Sequence, residues 1–254
     1  MKVGIIGYGW VGKAMHKLFP DAEIYDKFLS TYNKPMSKRD IVFVCVPTPL
    51  SDTMQLDCSI VEEAIQNANS DLVVVRSTTN PGFCDSMAKK YPTKRIVMQP
   101  EYLGETANHP YIETENRNFM ILGGDPVDRR KVIECYHSVY NAKINIRQVT
   151  RIEAEIIKLT ENRAAFYKII QCQELYDVCE VAGVDYYTIR DGVYGDDQRF
   201  TLFWTFVYPN NRGANSKCIP KDVYAWCAWA ESVGIKSEVT EKLLEYNKKL
   251  VDNN

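Results

Sequence analysis

The sequence predicts an α/β fold: a doubly wound sheet at the N-terminus, then a long central helix and a small all-helical domain. Three observations carry this expectation. Short β-branched runs alternate with helical periodicity over residues 1–149, the pattern of strand–helix–strand units in a parallel sheet. A glycine-rich turn, Gly7-Tyr8-Gly9-Trp10-Val11-Gly12, joins the first run to the first helical segment. Arg151 to Ala182 contains neither Gly nor Pro and sets Ile152, Ile156, Leu159, Ala164, Ile169 and Leu175 at helical spacing.

In order, Lys2 to Ile6 is a strand, the glycine turn follows, and a helical pattern runs to Leu18. Ala22 to Tyr25 is a second strand, ending at Asp26. Ile41 to Val46 is a continuous apolar run, as expected for a strand buried on both faces. Leu72 to Val75 and Arg95 to Met98 are further strands, separated by helices over Ile60 to Asn67 and Gly82 to Lys90. Asn118 to Leu122 reads as a strand, Gly123-Gly124-Asp125-Pro126 as a turn, and Val127 to Val139 as a helix. The long helix is ended by Gly183. A helix of this length spans two domains, forms an interface, or lies in one core; all three stay open. A boundary at 149/150 is expected. Asp185 to Asp191 reads as a helix, Tyr194 to Lys217 as a long loop of the functional kind, and Asp222 to Val233 and Glu238 to Val251 as the last helices, with Asp252 to Asn254 fraying.

The chain has 254 residues, 45% of them hydrophobic, and a net charge of -2, with a pI near 6.0. Such a balance offers no basic field for nucleic acid and no polybasic tail for a membrane. No apolar run approaches the ~20 residues that span a bilayer, and the N-terminus reads as a strand entering a helix rather than a signal peptide. The eight cysteines are scattered without a CxxC pair, which predicts reduced thiols and a cytoplasmic protein. Cys45, Cys172 and Cys179 are expected in the core. His16, His109 and His137 share no spacing, so no metal site is expected.

The glycine turn has a chemical reading. Gly7 permits a tight turn, Gly9 lets backbone approach a pyrophosphate, and Gly12 lets helix and strand pack closely, with Tyr8, Trp10 and Val11 completing the cradle. Asp26 falls at the end of the next strand, where a carboxylate accepts from a ribose 2′-OH and repels a 2′-phosphate. NAD is therefore expected over NADP in a Rossmann-like domain, with Lys27 as a counterweight.

Further segments match a family in order. They are Val46-Pro47-Thr48-Pro49, Arg76-Ser77-Thr78 with Pro81-Gly82, and Pro100-Glu101-Tyr102-Leu103-Gly104-Glu105. Glu155-Ile156-Ile157-Lys158 with Asn162, Asp197-Gln198-Arg199, and Cys218-Ile219-Pro220-Lys221-Asp222 follow. With the glycine turn and Asp26, the chain resembles the UDP-glucose/GDP-mannose 6-dehydrogenase family, the nucleotide-sugar dehydrogenases, and most of all its UDP-glucose branch. The resemblance implies NAD-dependent, four-electron oxidation of a sugar hydroxymethyl group to a carboxylate, UDP-glucose giving the UDP-glucuronate used for polysaccharides. The aldehyde is trapped on Cys218 as a thiohemiacetal, then oxidised to a thioester and hydrolysed.

By the same resemblance Lys158 and Asn162, four apart on one helix face, hold an alkoxide or oxyanion. Asp222 orients the water and Lys158; Asp222 also suits a helix N-cap. Glu101 acts as base or water holder near the thioester, with Thr78 as a hydrogen-bonding partner of that water. Val46, Pro47, Thr48, Thr78, Glu105 and Lys221 face the cofactor. Tyr102, Leu103 and the loop from Phe206 to Gly213 line the sugar pocket, and Arg199 reaches the substrate from this chain or from a second copy in a homodimer paired along the long helix. Two departures stand out. The family runs on past CxPKD into a third, nucleotide-binding domain, whereas this sequence ends at Asn254, which suggests a shortened form. Its Gly-Gly before the cysteine is here Asn215-Ser216. Two other readings are a two-electron β-hydroxyacid dehydrogenase, whose chemistry needs no thiol, and a non-catalytic NAD- or sugar-binding relative.

Overall fold

The computed structural model describes residues 1–104, 118–140, 144–197 and 199–253. Its elements run β1 (Val3–Ile6), α1 (Trp10–Leu18), β2 (Glu23–Tyr25), β3 (Ile41–Val44), α2 (Ser59–Asn67), β4 (Leu72–Val75), α3 (Phe83–Lys90) and β5 (Arg95–Met98). After these come β6 (Phe119–Gly123), α4 (Pro126–Tyr136), β7 (Asn145–Val149), α5 (Arg151–Ala182), α6 (Tyr186–Tyr194), α7 (Ile219–Ser232) and α8 (Glu238–Asp252).

Among the described residues the strands form one sheet in the order β2-β1-β3-β4-β5-β6-β7. All neighbours are parallel except β5 and β6, which meet antiparallel. Strands β1, β3 and β4 are buried throughout, because helices cover both faces and leave no side for a polar residue. Alternate residues enter two apolar clusters: Ile6, Val42, Val44, Val73 and Val75 in one, Val3, Ile5, Phe43 and Val74 in the other. Strand β7 is the element that the sequence pattern does not announce. Its Asn-Ile-Arg-Gln-Val is mostly exposed; backbone pairing with β6 at the sheet edge, not burial, makes it a strand. Cys45, Cys172 and Cys179 are buried as expected, and burial pushes the Cys45 thiol up to about 12.

A capping box opens α5: the Thr150 N–H donates to Glu153 Oε2 (2.7 Å) and the Glu153 N–H returns to Thr150 Oγ1 (3.4 Å). The helix runs 32 residues and closes at Gly183, φ 68°, with the Val184 N–H donating to the Cys179 carbonyl (3.1 Å). The chain divides into two units, residues 1–51 with 56–158 and residues 52–55 with 159–254, so the division falls inside α5 after Lys158. The second unit has its own core of Ala165, Phe166, Ile170, Ala214, Ile219, Val223 and Leu244. Helix α7 starts at Ile219, three residues before the expected Asp222, because Pro220 suits a first helical turn. Among the described residues no helix is long and apolar enough to cross a membrane.

Candidate active site

The first unit builds a nucleotide cradle. The chain leaves β1 at Gly7 with φ 90°. A Cβ on Gly7 would lie 2.5 Å from the Cys45 carbonyl oxygen, and one on Gly12 would lie 2.0 Å from the Gly7 carbonyl oxygen. These two glycines let β1, β3 and α1 approach one another at the point where the strand order reverses, the usual binding crevice of such sheets. Gly9 differs: nothing lies within 4 Å of a Cβ built there. Gly9, the N-cap of α1, brings no side chain to the helix start, and an N-terminus of this kind, with N–H groups such as those of Trp10 and Val11 in its first turn, is suited to a pyrophosphate.

Asp26 is fixed beside this turn. Its Oδ2 accepts from the Tyr8 N–H (2.7 Å) and its Oδ1 from the Phe28 N–H (2.9 Å), leaving lone pairs for a ribose diol. Lys27, the expected counterweight, pairs with Glu63 at 3.1 Å. Its charge is thereby answered on the protein, which favours the NAD reading. The turns after β3 and β4 are laced together. The Val46 N–H donates to Ser77 Oγ (3.1 Å), and the Ser77 hydroxyl to the Val46 carbonyl (2.6 Å). The Thr48 hydroxyl donates to the Thr78 carbonyl (2.8 Å). Thr78 is half-buried and Pro47 exposed.

At the ends of β4 and β5 lies a buried polar cluster. Arg76, 1% exposed, forms an ion pair with Glu101 Oε2. Glu101 Oε1 accepts from the N–H groups of Tyr102 (2.6 Å) and Leu103 (2.8 Å). Arg76 Nη1 also donates to the Tyr136 hydroxyl (3.4 Å), which donates to Gln99 Oε1 (3.0 Å). Both oxygens of the expected base or water holder are thus held by the protein. Lys158 lies 4.8 Å from the centroid of the Tyr102 ring, a cation–π contact that sets the ammonium beside Glu101's own segment. Motif reading quoted Arg76 in Arg76-Ser77-Thr78 but gave it no role, although a charged residue directly after a buried strand needs a partner.

Glu155 turns out to be a structural clamp. It is wholly buried and accepts from the Thr79 hydroxyl (2.9 Å), the Gly82 N–H (2.6 Å) and the Cys84 N–H (2.9 Å). It thereby caps α3 from the first turns of α5. Burial pushes its carboxyl above the ordinary range, and these hydrogen bonds only partly offset that.

The second unit holds the thiol. Cys218 is exposed and is the residue capping the N-terminus of α7. Asp222 is therefore not the N-cap. It sits in the first turn, 1% exposed, with its N–H donating to the Cys218 carbonyl (3.0 Å). Its carboxylate accepts from Asn162 Nδ2 and from Lys221 Nζ (2.7 Å). Lys221, which the resemblance sets beside the cofactor, is anchored here on Asp222. Asn162 is 7% exposed, so the three side chains form one linked set under the thiol-bearing turn.

Three expected substrate residues are not gathered with this set. Arg199 is 82% exposed and bound to Asp197. Phe206 is exposed, with Arg190 5.3 Å from its ring centroid. Gly213 packs against α8. Glu105 and Gln198 lie outside the described residues.

Comparison with known proteins agrees with this geometry. The model of the UDP-glucose/GDP-mannose dehydrogenase family NAD binding domain matches residues 23–144, and that of the family's central domain matches 152–249. A UDP-glucose 6-dehydrogenase of Rickettsia bellii is 26% identical over 87% of this chain and 52% of its own length. The UDP-glucose 6-dehydrogenase TuaD of Bacillus subtilis is 29% identical over 83% of this chain and 46% of its own. The chain thus spans about half the length of the curated relatives it matches. A UDP-glucose dehydrogenase structure from Pyrobaculum islandicum superposes with a TM-score of 0.80 at 20% identity, covering 98% of this chain and 68% of that one; at this identity the likeness speaks for the fold.

Proposed function

The chain belongs to the UDP-glucose/GDP-mannose dehydrogenase family, whose NAD-binding and central domains it carries, and from that premise we propose that it oxidises the hydroxymethyl group of a nucleotide sugar to a carboxylate. The family uses NAD, and Gly7, Gly9, Gly12 and Asp26 form a cradle that fits it. UDP-glucose is the proposed substrate, on the names of the sequence relatives.

The observation that carries the proposal is Cys218, an exposed thiol at the N-terminus of α7, beside the linked Asn162–Asp222–Lys221 set. A helix N-terminus favours a thiolate. Bound NAD supplies the hydride acceptor for both oxidations. The Cys218 sulfur adds to the aldehyde carbon, and the carbonyl oxygen becomes the thiohemiacetal oxygen. Lys158 and Asn162 stabilise that oxygen. Oxidation gives a thioester; water adds to its carbonyl carbon, the carbon–sulfur bond breaks with the Cys218 thiolate as leaving group, and the carboxylate is released as product. Thr78 and Glu101 hold that water. Lys221 and Thr48 border the cofactor, and Tyr102 and Leu103 the sugar.

We also place the contact of a homodimer on α5, where Val178 and Val181 are exposed at 58% and 92%; a monomeric mass in solution would remove this. A cytoplasmic location suits a thiol that must stay reduced. The reaction is tested with purified protein, NAD and UDP-glucose, counting reduced cofactor against sugar. Two NADH per sugar with glucuronate as product is expected. One NADH per sugar would make this a two-electron dehydrogenase, and NAD binding without turnover on any nucleotide sugar would make it a binding protein.

A further inference from the structure

Cys218 stands on a short exposed arch. Asn215, Ser216, Lys217 and Cys218 are all exposed, while the flanking Ala214 and Ile219 are buried at 5% and 7%. Both feet of the arch enter the same apolar cluster, with Phe166, Val223 and Leu244. The second foot is the start of α7, tied through Asp222 to Asn162. The first foot is tied from α8. Asn247, 7% exposed, donates from Nδ2 to the Ala214 carbonyl (3.0 Å) and accepts at Oδ1 from the Ala214 N–H (2.7 Å). The same Oδ1 would lie 2.8 Å from a Cβ on Gly213, whose φ is 79°. Only glycine takes that conformation readily and only glycine leaves the amide room.

One hydrogen bond leaves a peptide free to rotate about it; two antiparallel bonds from one side-chain amide fix both its place and its direction. Cys218 is itself the N-cap of α7, so the helix holds its backbone; the course of Asn215, Ser216 and Lys217 beside the thiol is set from the other foot, where Ala214 is held. We propose that Asn247 is a positioning residue for Cys218: its amide locks the Ala214 peptide and so sets the arch that borders the thiol. The effect on turnover rests on the reaction proposed above; the effect on the thiol does not.

The test uses the full chain as wild type, Asn247→Ala and Asn247→Asp. It reads the rate at which iodoacetamide alkylates Cys218 across the neutral to alkaline range, by peptide mass spectrometry, alongside NADH production. The alkylation profile of both variants is expected to shift along the pH axis, because the arch, with the Lys217 ammonium on it, moves relative to the thiol. Where turnover is measured, kcat is expected to fall about 10- to 100-fold with KM for NAD unchanged. Asn247→Asp keeps the shape and the acceptor but sets a charged acceptor oxygen against the Ala214 carbonyl, so the uncharged Asn247→Ala decides the direction of the shift and Asn247→Asp reports on the loss of the donor. An unshifted profile in a folded variant overturns the proposal. Should neither variant fold, amide exchange in the wild type decides: a protected Ala214 N–H supports the lock, and exchange as fast as at exposed Asn215 overturns it. Wild type without turnover but with the shift on substitution keeps the lock and removes the reaction. Turnover without the shift does the reverse.

Discussion

The two units hold their chemistry-bearing residues by different means. In the first, backbone geometry does most of the holding: strand ends, tight glycine approaches and the laced turns after β3 and β4 set Asp26, Thr78 and Glu101 in place. In the second, side chains on separate helices hold one another or the loop between them. Asn162 reaches Asp222 across 60 residues of sequence, and Asn247 reaches Ala214 across 33. A backbone-built site depends on a few residue types at fixed local spacing. A side-chain-built one depends on packing that brings distant amides and carboxylates together, and it tolerates loop change as long as both ends stay anchored. Asn215-Ser216, which departs from the family's Gly-Gly, lies on the exposed arch between such anchors.

The largest effect expected is in the second unit. Cys218→Ser should abolish acid formation while leaving NAD binding intact, because the cradle belongs to the first unit; full acid yield from this variant would remove the covalent route. Gly12→Ala strikes the other construction principle. The new Cβ meets backbone, the Gly7 carbonyl, which no rotamer can clear, so a loss of about 1–3 kcal/mol of stability and weakened NAD binding are expected. Thermal unfolding with and without NAD would measure both, and wild-type stability would mean that the turn can open.

Asp26→Ala comes next. Removing the carboxylate should weaken NAD about ten-fold, as for one charge-assisted hydrogen bond, and weaken NADP less. Equal loss for both, read by calorimetry, would undo the ribose assignment.

The smallest effect concerns Glu155. Its folded-state pKa lies above the ordinary 4.5, so the folded chain holds that proton more tightly than the unfolded chain. The corresponding stability is fully present below about 4.5 and is lost as pH rises through the folded value. Glu155→Gln should flatten this slope, since the amide cannot ionise; denaturant midpoints from weakly acid to neutral pH that fall equally in both proteins would contradict it.

Much of the first unit was legible in the chain. The apolar runs of β1, β3 and β4, the glycine spacing and the acidic residue after β2 are local signals, and each corresponds to a local physical demand. Strand β7 was not legible, since edge pairing needs no apolar run. Neither was Arg76 as the partner of Glu101, because an ion pair spanning 25 residues leaves no periodic trace. In the second unit the order Cys218-Ile219-Pro220-Lys221-Asp222 pointed to the thiol, but it placed the helix start at the wrong residue. Pro220 and the cap at Cys218, rather than Asp222, settle where α7 begins.

By itself, then, the sequence determined the family and the class of fold, and it singled out the glycine turn and Cys218 as candidates, because these rest on residue types at short, fixed spacing. Only the tertiary structure decided that Lys27 is answered by Glu63, that Glu155 is a buried cap, that Asp222 serves Asn162 and Lys221, and that Asn247 holds the loop before Cys218. Those are choices among hydrogen-bonding partners far apart in the chain. A buried polar group must find some partner, but which one it finds is settled only when the elements pack.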